Sequence, residues 1–511
     1  MGTAGRSFIL AHDLGTTGDK ATLFDGEGTL IASVTSGYET IFPRPGWAEQ
    51  DPRDWWKGVS DSTRGLLSSG RVAPHEIACI VFSGQMMGCL PVDRSLSPLR
   101  NAIIWADQRG VAQSDMILEQ VGEDLVYEIT GHRISPAYSA SKILWVKENE
   151  PEVWKHTYKV LHAKDYIIAR LTGKAVTDYS DASGMNLFDL RQREWSGEIA
   201  DAIGIPLEVL PELHRSTDVV GEVTGERARE LGLVAGTPVV VGGGDGPCAA
   251  VGAGVVEEGQ CYNYIGASSW IAMASREPLY DPRKRTFNFH HLDPEMVTPT
   301  GTMQSAGASY QWARRELCLL EAGCARELGI SPYAIMDAEV DTVAPGADNL
   351  IYLPYLMGER SPHWNPFARG AFIGLSMAHT RRHMIRAVLE GVAFNLRIIL
   401  ECFESQGAKI DEIRVIGGGA KGGTWRQILA DVYRRPVVAL RLLEEATSLG
   451  AAIAGGIGVG IFKGFGVAKD LAKATGRECP RTEFARRYDE LYKIFVDAYD
   501  ALVPVFDALA R

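Results

Sequence analysis

Long apolar runs are missing from this 511-residue chain. No stretch reaches the ~18 uninterrupted apolar residues of a membrane span; the nearest, 449–462, is short and mostly Gly and Ala. The first eleven residues hold one Arg and a four-residue apolar run, too little for a secretory signal. Arg6 stands where a myristoylation pattern needs Ser or Thr. Positive charge is in deficit: 52 Lys and Arg against 64 Asp and Glu leave −12. That excludes a general basic surface for nucleic acid or anionic membrane, although a local pocket can still be positive. Cysteine is sparse, eight residues with no C-x-x-C pair. Neither a disulfide framework nor a zinc site is expected, and the thiols read as reduced core residues. No G-x-x-x-x-G-K-[ST] phosphate loop occurs, and the glycines from 417 on are not read as the G-x-G-x-x-G of a dinucleotide fold, because no acidic residue ~20 positions later has an obvious ribose role. A cytoplasmic enzyme is the expectation.

What is present is a globular balance, 46% hydrophobic and 23% charged. At about 150 residues per domain, the length suits two large domains or three smaller ones. Two segments open alike. Phe8 to Thr17 is an apolar strand entering an acidic, hydroxyl-rich turn, and Ala21 to Asp25 returns as a second strand. Cys261 to Ile265 leads into Gly266-Ala267-Ser268-Ser269, and Trp270 to Ala274 returns. The spacing of about half the chain indicates two similar domains. The division is set at 1–250 and 251–511, with a packed hinge of small residues near 245–260. Trp55–Leu67 and Ile385–Phe403 carry helical apolar spacing. A closing helix over Glu483–Leu509 places Phe484, Tyr488, Leu491, Ile494, Phe495, Tyr499 and Val503 on one face.

Four turns could carry chemistry. Asp13-Leu14-Gly15-Thr16-Thr17-Gly18-Asp19-Lys20 offers backbone N–H groups, two hydroxyls and a cation to one point, as polyphosphate oxygens require. Asp13 at the strand end suits Mg²⁺, which takes hard oxygen ligands and keeps several waters. Gly266 to Ser269 is a second such turn. Gly417-Gly418-Gly419-Ala420-Lys421 ends a strand and precedes a helix, so a nucleotide can approach the backbone and phosphate meets a helix N-terminus. Gly244-Asp245-Gly246 sets one carboxylate between glycines at a strand end, suited to general-base work. Each alone reads more simply as an ordinary turn. Together they form a coherent ATP-dependent phosphotransferase.

In its motifs the chain resembles the FGGY family of carbohydrate kinases, and within it the xylulokinases. The matches run in family order: Asp13 to Thr17, Trp47 to Pro52, Gln85-Met86, Ile104 to Arg109, Lys142 to Trp145, Lys164 to Tyr166, Asp178 to Gly184, Gly242 to Asp245, Gly358 to Pro362 and Gly417 to Gln427. The resemblance implies an α/β fold of two RNase-H-like domains of the actin and hexokinase type, each a mixed five-stranded sheet flanked by helices. The active site would lie in the cleft between them. It further implies Asp245 as catalytic base and Asp13 as organiser of a Mg²⁺–phosphate site. Gly15, Thr16, Thr17, Lys20, Gly266, Ser268, Ser269, Gly417, Gly418, Gly419 and Lys421 would meet ATP. Gln85, Met86, Met87, Trp105 and Asp107 would surround the sugar.

The implied reaction moves the γ-phosphoryl of ATP to a hydroxyl of a small ketose, D-xylulose first. Ribulose, erythritol or glycerol are alternatives, and a non-catalytic sugar or nucleotide sensor is a third class. Sugar and ATP are the expected partners, with neither nucleic acid nor membrane, and a homodimer is compatible with the chain. Three departures stand out. Met87 replaces the usual His, Gly246 replaces Asn or Gln, and Gly18-Asp19 replaces a small residue and Val. The first two remove polar side chains from the sugar site, and Asp19 brings a negative charge near the phosphates unless it points away.

Overall fold

The computed structural model describes residues 7–510. Its frame is two mixed sheets. The first has six strands: β1 (Phe8–Leu14), β2 (Gly18–Phe24), β3 (Leu30–Gly37), β4 (Ile77–Gly84), β5 (Val219–Glu222) and β6 (Pro238–Gly244). They lie in the order β5-β6-β4-β1-β2-β3. β1, β4 and β6 run parallel, and the outer pairings are antiparallel. The second sheet has seven: β7 (Cys261–Ile265), β8 (Ser269–Met273), β9 (Phe287–His290), β10 (Val297–Met303), β11 (Ile413–Ile416), β12 (Val437–Leu440) and β13 (Ala474–Glu478). Their order is β9-β10-β8-β7-β11-β12-β13, again parallel only at its centre. The two sheets share a five-strand core in the order third, second, first, fourth, fifth. The five-stranded expectation is therefore corrected by edge strands, β5 in one sheet and β9 and β13 in the other.

The elements follow from their sequences. The middle strands are apolar on both faces, so Ile9, Leu10 and Ala11 are fully buried. The edge strand β3 carries Ser and Thr and is largely open. Helix α1 (Pro52–Ser68) starts where Asp51 accepts the Arg53 backbone N–H and Pro52 supplies a fixed φ. Helices α2 (Ser139–Asn149), α3 (Asp245–Gly252), α4 (Gly307–Leu317), α5 (Arg381–Ser405), α6 (Gly423–Tyr433), α7 (Ala446–Gly458) and α8 (Ala485–Leu509) complete the parts used below. α8 buries Tyr488, Leu491, Phe495 and Tyr499 as expected, but Ile494 is exposed and Phe506 is buried in its stead. Two thiols also depart from expectation: Cys324 and Cys479 are exposed, while the other six are buried, and all eight are free.

The crowded small residues make a helix crossing. α3 packs on α7, and α7 also covers β1, β4 and β6. A Cβ on Gly252 would stand 1.7 Å from the Ala446 carbonyl oxygen, and one on Gly450 1.8 Å from that of Cys248. Only glycine permits this approach. The Gly- and Ala-rich stretch that comes nearest to a membrane span is this buried helix. Although it belongs to the second half of the sequence, it lies on the first sheet.

Candidate active site

The first sheet brings its chemistry to one edge. β1 and β6 flank β4 and run parallel to it, so Asp13 and Asp245 emerge at the same end of neighbouring strands. Asp245 opens α3 and is half-buried, with Oδ1 accepting the Gly246 backbone N–H at 2.8 Å. Burial first, and then the charge of Asp13, push its carboxyl up to about 7. Asp13 is raised to about 6, chiefly by burial and against the opposing pull of Lys20. Two carboxylates with such values near neutrality mark a functional site better than an ordinary turn. The second sheet pins this corner. Tyr262 Oη donates to the Gly246 carbonyl at 2.8 Å and accepts from Trp270 Nε1 at 2.7 Å.

A cavity of about 130 Å³ opens on Asp245 and Gly246. Met86, Met87 and Trp105 wall it from the first half of the chain. Phe287, Phe289, Thr300, Thr302, Gln304 and Arg360 wall it from the second. This second wall is not legible in the sequence, because nothing in 287–304 has motif spacing and Arg360 carries no role of its own within its matched segment. Thr302 Oγ1 is buried without a hydrogen-bond partner. The Arg360 charge acts on Tyr138 and Glu359, and no carboxylate among the described residues forms a salt bridge with its guanidinium. Glu359 ties this wall together, its Oε1 accepting the backbone N–H of both Gln304 and Arg360 at 2.9 Å. Its carboxyl is pushed up to about 8 by burial.

Two residues expected around the sugar do not line this cavity. Asp107 is fully buried and saturated: it accepts from the Ala48 N–H at 2.6 Å and from the Arg109 backbone and guanidinium. Gln85 sits beneath the first turn, donating to Gln50 Oε1 at 2.7 Å. Neither lines the cavity. Trp105 does, and its Nε1 donates to Thr16 Oγ1 at 2.9 Å, linking cavity to turn.

The turn after Asp13 is built tightly, Gly15 N–H donating to the Gly18 carbonyl at 3.0 Å. Thr16 is half-buried and Thr17 exposed. Asp19 points away from it. Side chains alternate along β2, so Asp19 faces the core, where His12 Nδ1 lies at 2.9 Å and Ser62 Oγ donates at 2.6 Å. Lys20 stands opposite Asp13 in the hairpin register, and its Nζ donates to the Glu444 carbonyl at 2.9 Å. Lys421 reaches the Glu444 carboxylate at 2.8 Å. Both cations expected at ATP thus meet one residue at the junction of the halves.

The second phosphate-type turn closes with Gly266 N–H donating to the Ser268 carbonyl at 2.9 Å. Ser269 is engaged internally, its Oγ donating to the Tyr264 carbonyl at 2.5 Å and facing Asn263 Nδ2 at 2.8 Å. That oxygen braces the hairpin, and Ser268 and Ser269 both line the cavity beside Asp245. Gly417 has φ +87°, and a Cβ there would meet the Ile265 carbonyl oxygen at 2.6 Å. Gly418 faces open space. Gly418, Gly419, Lys421, Gly266, Tyr310 and Trp425 share the wall of a second cavity of about 420 Å³, opposite the start of α6. Tyr310 donates to Asp337 Oδ1 at 2.7 Å across it. Aromatic faces, Cβ-free backbone and a helix N-terminus fit a base and its phosphates.

Residues 8–252 match the N-terminal domain, and residues 261–459 the C-terminal domain, of the FGGY family of carbohydrate kinases. The chain belongs to this family and is a sugar phosphotransferase with the two-domain fold of that family. It is 33% identical to xylulose kinase of Bacillus subtilis, with 96% of each chain covered. It is also 33% identical to gluconokinase of Bacillus licheniformis, over 99% of this chain and 98% of that one. The ligand-bound xylulose kinase of Lactobacillus acidophilus superposes with a TM-score of 0.91 at 29% identity, covering 98% of this chain and all of the other. No helix of the described residues is long and apolar enough to cross a membrane.

Proposed function

We propose that the protein transfers the γ-phosphoryl of ATP to a terminal hydroxyl of a small open-chain sugar, D-xylulose being the first candidate. The observation that carries this is Asp245, half-open to the cavity and near neutral in affinity for protons. In this reading it takes the proton of the attacking hydroxyl, at the operating pH where a base is most effective. The turns at Gly15–Thr17 and Gly266–Ser268 hold the transferring phosphates, and the larger cavity holds the base. Asp13 offers a hard oxygen of the kind a Mg²⁺ ion with several waters takes, and such an ion would neutralise phosphate charge. The rest of the work is positioning. Free thiols throughout support a cytoplasmic setting.

A second reading, a sugar acid of the gluconate kind, is favoured by Arg360. A guanidinium in the cavity wall with no carboxylate of its own is suited to a substrate carboxylate, which it binds in a two-pronged fashion. The test is ADP release measured over pentuloses, polyols and sugar acids with Mg·ATP. Turnover of a ketose with none of the acids supports the first reading, and the reverse supports the second. No turnover of any member refutes both.

A further inference from the structure

We infer that Lys142 is a positioning residue, which acts through the Met87 carbonyl to hold the turn that presents Met86 and Met87 to the substrate cavity. The inference deepens the kinase reading above and rests on it for its kinetic test. Met87 has φ +61°, a left-handed backbone that an unbranched non-glycine residue adopts only under constraint. The constraint is visible. Lys142 Nζ donates to the Met87 carbonyl at 2.7 Å and to the Ala137 carbonyl at 2.5 Å. One turn of α2 earlier, Ser139 Oγ donates to the carbonyl of the next residue, Gly88, at 2.7 Å. The start of α2 therefore grips two successive carbonyls of the turn.

Lys142 is fully buried, and no carboxylate among the described residues pairs with it directly. Asp107, Cys89, Arg360 and Arg109 are the charged or titratable groups acting on it, and burial outweighs them, bringing the amine down to about 7. A lysine kept in such a place without a salt bridge needs another reason. The neutral amine still carries two N–H groups, which matches the two carbonyls it meets. Gly184 confines the other side of the turn, since a Cβ there would stand 3.2 Å from Met87 Cγ. No side chain of α2 that does this gripping lines the cavity itself.

The test compares Lys142→Met, Ser139→Ala, Met87→Gly and the Lys142→Met/Met87→Gly double variant. The assay is steady-state kinetics on the best substrate of the panel above. Releasing the left-handed residue should raise the sugar KM roughly 5- to 30-fold in Lys142→Met, with the ATP KM and the melting temperature much less affected. Ser139→Ala, a mild change, should raise the sugar KM by a smaller factor with the same sparing of ATP. In the Met87→Gly background, where φ +61° costs nothing, Lys142→Met should change the sugar KM less than about twofold. An equal effect in both backgrounds, an equal rise in the KM of ATP, or an unchanged sugar KM in Ser139→Ala would overturn the inference. A crystal structure of Lys142→Met reads it without any substrate: Met87 should leave the left-handed region, and retention of φ near +61° refutes it. If no sugar is turned over, the kinase reading falls while this readout stands.

Discussion

Replacing Asp245 by Asn removes one proton acceptor and little else. The amide has the size of the carboxylate, and its Oδ1 can keep the 2.8 Å hydrogen bond from the Gly246 N–H. The cavity wall and the larger cavity proposed for the nucleotide are untouched, so ATP should bind nearly as before. The loss should fall on turnover, by ~10²–10⁴, or about 3–5 kcal/mol of barrier. The same residue predicts a pH profile. Its carboxyl sits at about 7, so kcat/KM of the parent should fall with unit slope below that value. The melting temperature should move in the opposite sense. A carboxyl raised in the fold stabilises while protonated, and that contribution is lost as pH rises through about 7. The Asn variant, neutral throughout, should therefore melt higher than the parent at about pH 8.5, with the gap closing toward about pH 4. The shift corresponds to up to ~4 kcal/mol, and to roughly half of that for a group open to cavity water. The assays are coupled ADP release, nucleotide titration and thermal melts across pH. An Asn variant that phosphorylates sugar at the parent rate would refute Asp245 as the base. A variant no more stable than the parent at high pH would refute the buried-charge account.

Asp13→Ala should weaken the Mg²⁺ dependence and lower kcat, because phosphate charge is less well organised; an unchanged Mg²⁺ titration removes Asp13 from the metal role. Met87→His with Gly246→Asn should shift kcat/KM toward D-xylulose relative to the other substrates, and non-additively if both side chains meet one sugar. A Cβ on Gly246 would meet no heavy atom within 4 Å beyond its chain neighbours, so the Asn has room; a parent already selective for D-xylulose with no change in the double variant would count against both positions. Gly450→Ala should cost more than ~2 kcal/mol of stability, since its methyl would lie 1.8 Å from the Cys248 carbonyl oxygen; urea unfolding checks this, and a parent-like midpoint refutes the contact.

The turns are legible in the sequence because their chemistry is local. Asp13 ends an apolar strand, and the Gly15–Thr17 turn, the Gly417–Gly419 run and Asp245 each follow one; a strand followed by glycine announces where a strand end is exposed. The duplicated strand, turn, strand unit likewise foretells two related sheets. Side-chain direction is partly legible too: strand alternation sends Asp19 to the opposite face from Lys20, but only the fold supplies His12 and Ser62 to receive it. What tertiary structure alone decides is who meets whom. It takes the 446–458 helix from the second half of the chain and lays it on the first sheet. It keeps Asp107 and Gln85 out of the cavity beside Asp245 by engaging them elsewhere. It also builds the cavity's far wall from Thr302, Gln304 and Arg360. These residues are far apart in the chain from Met86 and Met87, and no local spacing encodes a contact that arises only when two sheets close on a shared cleft.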